Sequence, residues 1–321
     1  MIRTAECVSP MHPDKMCDRI SDTLLDLYLK QDPNSRVAIE TCGGMGEVYI
    51  TGEVTSNAVI LGKEIVEVVK EITKDDNIKV LINLNKQSPE IAQGVDTGGA
   101  GDQGIMTGYA CRENEQLLPQ EYFLARELNK FIFDKFPFDG KTQITLDRNR
   151  VRVVASFQKA PKVELYELVN EFFKSYPLYT LQEIHCNPAG DWNIGGFTAD
   201  AGLTGRKLAV DNYGPRIPIG GGAFSGKDST KVDRSAAYMA RRVAVDILEQ
   251  RPDVNEVFVQ LAYAIGYDQP LQATAVVDGK EEKIQGYDLS PKGIIKFLDL
   301  RKPIFSETAA FGHMGAGFNW K

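Results

Sequence analysis

The sequence predicts an α+β fold in which three similar units each combine helices with a mixed β-sheet. Two observations predict it. The order helix, strand, strand, helix, strand is indicated repeatedly along the 321 residues, at intervals of roughly 100 residues. Strands such as 150–153 and 256–260 alternate polar and apolar residues, so one sheet face is buried and the other is polar or covered by a partner. This alternation favours mixed sheets covered by helices over a doubly wound parallel sheet.

The first unit begins with an amphipathic helix over 16–29, where apolar residues recur at helical spacing. Strands over 36–41 and 47–54 follow, and Gly43-Gly44 between them predicts a hairpin. A second amphipathic helix over 58–68 then leads to a strand over 78–82.

The same order returns in the second unit. A helix over 119–136 precedes strands over 143–146 and 151–157, and a helix over 165–172 precedes a weaker strand near Leu181.

The third unit has a helix over 229–247, strands over 256–263 and 271–277, and a helix over 291–298. We therefore divide the chain into an N-terminal unit (1–97), a central unit (98–194) and a C-terminal unit (195–321).

Charge and cysteine content narrow the function classes. The chain has 37 Lys and Arg against 44 Asp and Glu, a net charge of -7, and no basic patch, which makes nucleic acid a poor partner. No run approaches the roughly 18 apolar residues of a membrane span, and the amino terminus lacks an apolar signal segment. We therefore expect a cytoplasmic protein without membrane contact.

Scattered cysteines without a Cys-x-x-Cys pair predict reduced thiols: Cys7, Cys17, Cys42, Cys111 and Cys186.

The segment Gly220-Gly221-Gly222-Ala223-Phe224-Ser225-Gly226-Lys227-Asp228 predicts polyphosphate binding. It nearly matches a phosphate-binding P-loop, but Asp228 stands where the metal-binding hydroxyl belongs, and no strand precedes the segment. Glycines expose backbone N–H groups, a helix starts near Ser229, and Lys227 and Lys231 add positive charge. The structural alternative is a tight glycine turn with solvated lysines.

Two carboxylates adjoin cationic segments, which is the arrangement a nucleoside triphosphate and its metal require. Asp14 lies beside His12 and Lys15, and Asp233 follows Lys227 and Lys231; hard oxygen ligands of this kind suit Mg²⁺ bridged to phosphates. The alternative for Asp14 is a helix N-cap. His185 is expected to be structural, and His313 is left undecided.

These segments together resemble the S-adenosylmethionine synthetase family, also called methionine adenosyltransferases. They stand in family order over nearly the whole chain: His12-Pro13-Asp14-Lys15, Lys86-Gln87-Ser88-Pro89, Gly101-Asp102-Gln103-Gly104, Gly205-Arg206-Lys207, Gly220 to Asp228 with Lys231-Val232-Asp233-Arg234-Ser235, and Glu307-Thr308-Ala309-Ala310. The resemblance implies three α+β domains about a pseudo-threefold axis.

The resemblance also implies a reaction. The sulfur of L-methionine attacks C5′ of ATP, and the displaced triphosphate is cleaved to pyrophosphate and phosphate. A neutral thioether needs no general base, so the protein aligns the substrates and stabilises the charge that gathers on the triphosphate. The resemblance further implies a homodimer with active sites at the interface, and it leaves open whether dimers pair into a homotetramer.

The roles implied by the resemblance fall into four groups. The catalytic set is His12, Lys141, Arg206 and Lys227. The ATP-binding set adds Asp139, Trp192, Asp200, Lys207 and Ala223. The methionine-binding set is Glu53, Gln87, Asp102, Asp200 and Lys231. Asp14 and Asp233 would hold a pair of Mg²⁺ ions, and Glu40 would hold K⁺.

The chain departs from the family pattern at two places. The loop between Gln87 and Asp102 is shorter than the usual lid, which predicts weaker exclusion of water and looser substrate selection. The segment from Gly312 lacks the arginine usual after its second glycine. Two alternatives stay open at this point: an ATP-dependent kinase or NTPase, and a catalytically silent regulatory paralogue of the same fold.

Overall fold

The fold is known from a computed structural model that describes residues 1–86, 98–315 and 317–321. The strands are β1 (Ile2–Val8), β2 (Arg36–Gly44), β3 (Glu47–Thr55), β4 (Lys79–Asn85), β5 (Gly104–Cys111), β6 (Gly140–Asp147), β7 (Arg150–Phe157), β8 (Thr180–Cys186), β9 (Gly202–Leu203), β10 (Glu256–Tyr263), β11 (Gln272–Val277) and β12 (Lys280–Lys283). The α-helices are α1 (Pro13–Gln31), α2 (Gly62–Thr73), α3 (Gln120–Lys135), α4 (Lys162–Lys174), α5 (Leu208–Asp211), α6 (Val232–Gln250), α7 (Pro291–Leu298) and α8 (Phe305–Thr308). A 3₁₀ turn spans Gly196–Thr198.

Three four-stranded sheets organise the part of the chain that the structure describes. Their strand orders are β1-β6-β7-β8, β12-β11-β10-β5 and β4-β3-β2-β9. The first and third sheets are mixed, because β7 pairs in parallel with β8 and β3 pairs in parallel with β4. The sheet of the C-terminal unit is antiparallel throughout, since the hairpin strand β12 takes the outer position. The predicted α+β class with helix-covered sheets is confirmed.

Each sheet takes one strand from a different unit of the chain. Strand β1 of the N-terminal unit pairs with β6, β5 of the central unit pairs with β10, and β9 of the C-terminal unit pairs with β2. The exchange is cyclic, so the sheets do not follow the contiguous boundaries at 97 and 194, which stay a prediction. It also brings segments of the C-terminal unit against the N-terminal sheet.

The long first helix of each unit covers the buried face of its sheet. Helix α1 packs on β2 and β9, α3 on β1 and β6, and α6 on β5 and β10. The fit of α6 is close, since a Cβ atom added at Gly108 of β5 would lie 2.0 Å from the Ala240 carbonyl. Among the described residues, no helix is long and apolar enough to cross a membrane.

The predicted hairpin between β2 and β3 is present, but its turn lies two residues later than Gly43-Gly44. Met45 and Gly46 have φ angles of 52° and 83°, as the tight primed turns of hairpins require. Gly43 is not part of the turn, but its lack of a side chain leaves room for a neighbouring ring. A Cβ atom there would lie 2.5 Å from the ring of Phe197, which packs beneath the strand.

Candidate active site

One edge of β2 positions both cationic segments of the C-terminal unit. Cys42 pairs with Leu203, and Ala38 forms an isolated antiparallel bridge with Lys227. We call 202–207 the Arg206 loop and 220–228 the Lys227 loop. Their contacts on β2 are four residues apart, or about 13 Å along the strand. The two loops therefore line a single strand edge.

The Arg206 loop brings two cations to Asp14. Lys207 Nζ donates a hydrogen bond to Asp14 Oδ2, Arg206 Nε lies 3.7 Å from Asp14 Oδ1, and the backbone N–H of Leu203 donates to Oδ1 at 3.0 Å. Burial raises the pKa of the Asp14 carboxyl, but the hydrogen bonds from Lys207 and Leu203 outweigh it and hold the pKa below the usual value. Asp14 is thus an ionised, nearly buried carboxylate with cations on its open side.

His12, rather than Asp14, is the N-cap of α1. Its side chain accepts a hydrogen bond from the Asp14 backbone N–H at 3.2 Å, and Pro13 occupies the first helical position. The alternative interpretation of Asp14 as the cap is therefore wrong, and its carboxylate is left for side-chain partners. Burial, together with the charge of Lys207, lowers the pKa of His12 to about 4, so the ring is neutral near pH 7.

Asp139 and Lys141 flank the same site from the start of β6. Asp139 Oδ2 accepts the backbone N–H of Gly196 at 3.0 Å. Burial raises the pKa of Asp139, the charge of Asp200 adds to the rise, and Lys141 opposes it. Lys141 and Asp200 also affect the pKa of His12. These groups therefore share one electrostatic environment with Asp14.

The Lys227 loop and the first turn of α6 form a second charged cluster. Lys227 Nζ lies 2.7 Å from Asp233 Oδ2, and Lys231 Nζ lies 2.5 Å from Asp228 Oδ2. Two glycines surround Asp233: a Cβ atom at Gly222 would lie 2.2 Å from its Cγ, and one at Gly104 would lie 3.4 Å from its Oδ1. Only glycine leaves room at Gly222 for this carboxylate.

The two loops touch each other at Gly205 and Ala223. Gly205 has a φ of 79°, and a Cβ atom there would lie 2.5 Å from the Cβ of Ala223. The Arg206 loop and the Lys227 loop are therefore packed directly against each other at this point.

Family models match the chain over nearly its whole length. The N-terminal, central and C-terminal domain models of S-adenosylmethionine synthetase match residues 1–91, 97–192 and 194–321, respectively. The chain belongs to the S-adenosylmethionine synthetase family. An S-adenosylmethionine synthase of Sulfurimonas denitrificans is 42% identical, with 100% of this chain and 93% of the relative covered. The corresponding values are 41%, 100% and 95% for an S-adenosylmethionine synthase of a Sulfurovum species, and 40%, 99% and 94% for S-adenosylmethionine synthase 2 of Rhodospirillum rubrum.

Three other residues of the synthetase pattern lie near the second cluster. Glu53 pairs across β3 and β2 with Ala38, the residue that bridges to Lys227. Asp102 is exposed two residues before Gly104, which faces Asp233. Glu40 lies exposed on β2 between the registers of the two loops. Gln87 and the rest of the short lid through 97 lie outside the described residues.

Trp192 is half-buried beside the Asp139 region of this synthetase. Its indole Nε1 donates to Asn187 Oδ1 at 3.3 Å, and its backbone carbonyl accepts the N–H of Lys159. The ring packs against Gly195, where a Cβ atom would lie 2.7 Å from the indole. Gly195 therefore fixes where the aromatic face can lie.

The carboxylates of the site suit metal ions whose remaining ligands come from the substrate. Among the residues that the structure describes, no three His, Cys, Asp or Glu side chains converge as a self-contained metal site. Asp14 and Asp233 are single carboxylates, and Mg²⁺ is commonly bound by one or two carboxylates together with substrate phosphates and waters. The family uses a divalent metal, and these hard oxygen donors suit one.

A buried polar network lies beneath the loops, and the sequence analysis did not predict it. Lys15 Nζ lies 2.6 Å from Asp211 Oδ1 and 3.0 Å from Asp18 Oδ2, and Arg234 makes a two-pronged ion pair with Asp22 at 2.6 and 3.0 Å. A signal was present, because aspartates recur every fourth residue from position 14 to position 26.

The undecided His313 belongs to the same interior. It is fully buried, Nδ1 lies 2.7 Å from the Tyr238 hydroxyl, and Nε2 lies 3.4 Å from Ser225 Oγ. Burial, together with the charges of Arg234 and Lys15, lowers its pKa well below the usual value. His313 is a neutral structural group beneath the Lys227 loop. His185 lies half-exposed on β8, 3.3 Å from Glu183.

Proposed function

We propose that this chain is a methionine adenosyltransferase that forms S-adenosylmethionine from ATP and L-methionine. One observation carries the proposal: two cationic loops, each facing a carboxylate, line a single edge of β2 in a chain of the synthetase family. Such an arrangement suits a polyphosphate with bound metal, because cations match its oxygens and carboxylates hold its metal.

The residues of the two clusters would act on the leaving triphosphate. The methionine sulfur donates an electron pair to C5′, the C5′–O bond breaks, and its electrons pass to the triphosphate oxygen. Arg206, Lys207, Lys227 and Lys141 would stabilise this charge electrostatically. His12, neutral at pH 7, would contribute an N–H donor and not a positive charge. The triphosphate is then hydrolysed to pyrophosphate and phosphate.

Asp14 and Asp233 would hold Mg²⁺, and Glu40 would hold K⁺. When bound, the divalent metal would neutralise phosphate charge and orient the chain of phosphates. In the chain as described, Lys207 and Lys227 occupy the two carboxylates. With a metal held by these carboxylates, Lys207 and Lys227 would be available to pair with phosphate oxygens.

The remaining roles concern substrate recognition. Asp139 and Asp200 would hold the nucleoside, the indole of Trp192 would offer a stacking face to adenine, and Ala223 would contribute to ATP binding. Methionine would lie between carboxylates that meet its ammonium group and Lys231, which meets its carboxylate. The methionine set is Glu53, Gln87, Asp102, Asp200 and Lys231.

A homodimer with interfacial active sites is the proposed assembly. The outer face of the β4-β3-β2-β9 sheet exposes apolar side chains on three strands, including Tyr49, Leu81 and Leu203, beside the exposed Cys42. An exposed row of apolar side chains across a sheet is typical of an interface. Covering this face with a second copy would bring its loops toward the first copy's, and further pairing would give a tetramer. The cytosol is the proposed compartment, since all five cysteines are thiols.

Product analysis tests the function. The purified chain would be incubated with ATP, methionine, Mg²⁺ and K⁺, and the products identified by mass spectrometry. S-adenosylmethionine supports the proposal. Production of ADP would indicate a kinase or NTPase, and unchanged substrates would indicate a silent paralogue; neither alternative has support from the family match or the relatives.

A further inference from the structure

Four aspartates on one face of α1 accept hydrogen bonds from the backbone of the C-terminal unit. Asp14, Asp18, Asp22 and Asp26 recur every fourth residue, each is at most 3% exposed, and each accepts backbone N–H groups. The donors are Leu203 for Asp14 at 3.0 Å, Gly205 for Asp18 at 2.8 Å, Gly226 for Asp22 at 2.8 Å, and Phe305 and Ser306 for Asp26 at 3.1 and 2.8 Å. We call these residues the α1 aspartates.

We propose that Asp18 and Asp22 are positioning residues, which set the two cationic loops at the places where they bind the triphosphate of ATP. Each accepts from the amide that directly precedes a cation: Gly205 precedes Arg206, and Gly226 precedes Lys227. The inference rests on the proposed function and assigns two residues that do not touch substrate.

The glycines make this attachment specific. Gly205 and Gly226 have φ angles of 79° and 80°, and a Cβ atom at Gly226 would lie 1.9 Å from the Ile39 carbonyl oxygen. A Cβ atom at Gly226 would also lie 3.1 Å from the Cβ of Ser21, so the backbone there packs closely against both β2 and α1. A carboxyl group held on a helix then accepts the backbone N–H and fixes the amide, and with it the start of the cationic side chain.

The second oxygen of each carboxylate lies beside a buried cation. Asp18 Oδ2 lies 3.0 Å from Lys15, and Asp22 Oδ2 accepts from Arg234 at 3.0 Å. Arg234 in turn donates to the carbonyls of Phe224 and Lys227, each at 3.1 Å. The Asp22–Arg234 pair therefore holds the Lys227 loop at three backbone atoms.

Stability alone is a weak reason for this arrangement. Removing two charges from water costs free energy that the ion pair recovers only in part, so well-packed apolar residues would often stabilise the interior as much. Position is a stronger reason, because a displacement of about 1 Å in a charged group can cost roughly 100-fold in rate.

Asp26 provides a matched control within the same helix. It is buried on the same face and binds two backbone N–H groups through its two oxygens, but its partner segment at the start of α8 carries none of the cations assigned to ATP. Asparagine at any of the three positions replaces one oxygen by an NH₂ group that faces a donor. All three variants therefore present an NH₂ group to a donor, but Asp18→Asn and Asp22→Asn also remove a charge partner of Lys15 and Arg234, whereas Asp26 is in no ion pair among the described residues.

The experiment measures binding of inorganic tripolyphosphate with Mg²⁺ by calorimetry, together with kcat, the methionine KM and thermal unfolding, on the full-length chain. We expect Asp18→Asn and Asp22→Asn to weaken tripolyphosphate binding and lower kcat by about tenfold each, with the methionine KM within about twofold of the parent. Asp26→Asn should lower Tm by less, since it leaves no buried cation without a partner, and keep the parent's tripolyphosphate affinity.

Asp18→Asn is the decisive variant if Asp22→Asn fails to fold, because Lys15 keeps Asp211 as a partner. Parent-like tripolyphosphate affinity in folded Asp18→Asn would overturn the inference. Equal weakening in Asp26→Asn would also overturn it, since a general loosening would then explain the loss, as would a parent that binds no tripolyphosphate. A parent that binds tripolyphosphate but makes no S-adenosylmethionine would refute the proposed function alone.

Discussion

Lys227 Nζ lies 2.7 Å from Asp233 Oδ2, which joins the cation of the glycine-rich loop to the first turn of α6. Both side chains are partly exposed, so neither is locked in the interior. The contact between Lys207 and Asp14 repeats this relationship in the other loop. In each pair, a proposed triphosphate ligand and a proposed metal ligand neutralise each other before substrate binds.

Removing a loop cation should impair catalysis far more than stability. We expect Lys227→Ala and Arg206→Leu each to lower kcat by at least about 100-fold, the effect of removing one charge partner of the transition state. Arg206 is largely exposed, so its variant should keep the free energy of unfolding within about 0.5 kcal/mol. Steady-state kinetics and chemical denaturation measure both effects. Lys280→Ala on the exposed strand β12 is the control, and a kcat within about threefold of the parent for either loop variant would contradict the assigned role.

Mixed dimers should reveal whether the two clusters of one site come from different subunits. His12→Ala leaves the Lys227 loop intact, and Lys227→Ala leaves the His12 side intact. If a site takes its His12 side from one subunit and its Lys227 loop from the partner, one site of a mixed dimer of the two inactive chains has both sides intact. Random exchange should therefore restore about a quarter of the parent activity.

The readout is activity after co-refolding or co-expression of the two variants, with each variant alone as the control. Mixed dimers without activity would place both clusters of a site in one chain. A monomer in light scattering at micromolar concentration would exclude the dimer.

Gly205 should tolerate no side chain because the two loops touch there. Gly205→Ala adds a Cβ atom 2.5 Å from Ala223, on top of a positive φ. Gly279→Ala, in the β11–β12 turn, has nearly the same φ with nothing within 4 Å, so it isolates the backbone cost of roughly 1–2 kcal/mol. We expect Gly205→Ala to destabilise the chain by about 1–3 kcal/mol more, as overpacking does.

The double variant Gly205→Ala with Ala223→Gly should recover part of that difference in urea unfolding, because the second change removes the opposing Cβ. Equal effects of Gly205→Ala and Gly279→Ala would show that the loops do not press on each other.

The buried His313 should make the fold sensitive to mild acid. Its pKa is lowered in the folded chain by burial and by Arg234 and Lys15, while Tyr238 and Asp211 lie beside the ring. The unfolded chain therefore binds a proton first, near pH 6.5, and stability falls as the pH drops below that value. The contribution is up to about 1.4 kcal/mol per pH unit for one proton. His313→Gln should reduce the slope of the stability profile between pH 7 and 5, and parallel profiles for the two proteins would contradict a neutral buried ring.

The spacing of apolar residues predicts those helices and strands whose own sequence is periodic. The helices over α1, α3 and α6 and the strands β2, β3, β6, β7 and β10 follow from apolar spacing. Strands β1, β5 and β9 do not, because their sheet partners lie in other units and no local signal encodes that pairing. Strand β1 shows no regular alternation, since its buried residues are Ala5, Cys7 and Val8, and β5 holds Gly108 because α6 crosses it closely.

The candidate site was foreseen in part for the same reason. Glycine-rich loops with charge are visible in sequence, and the structure brings Arg206 and Lys207 to Asp14 and brings Lys227 to Asp233. Which carboxylate meets which cation depends on the edge of β2, to which both loops bind. The roles of Asp18 and Asp22 depend on contacts about 190 to 210 residues distant along the chain, which spacing alone does not reveal.

Product stoichiometry tests the central claim most directly. The purified chain would be given ATP and methionine with Mg²⁺ and K⁺, and S-adenosylmethionine, phosphate, pyrophosphate and ADP would be quantified in the same sample. Attack at C5′ followed by cleavage of the whole triphosphate predicts one phosphate and one pyrophosphate for each S-adenosylmethionine, with no ADP. Accumulation of ADP, or phosphate release that continues without methionine at the full rate and yields no S-adenosylmethionine, would contradict it.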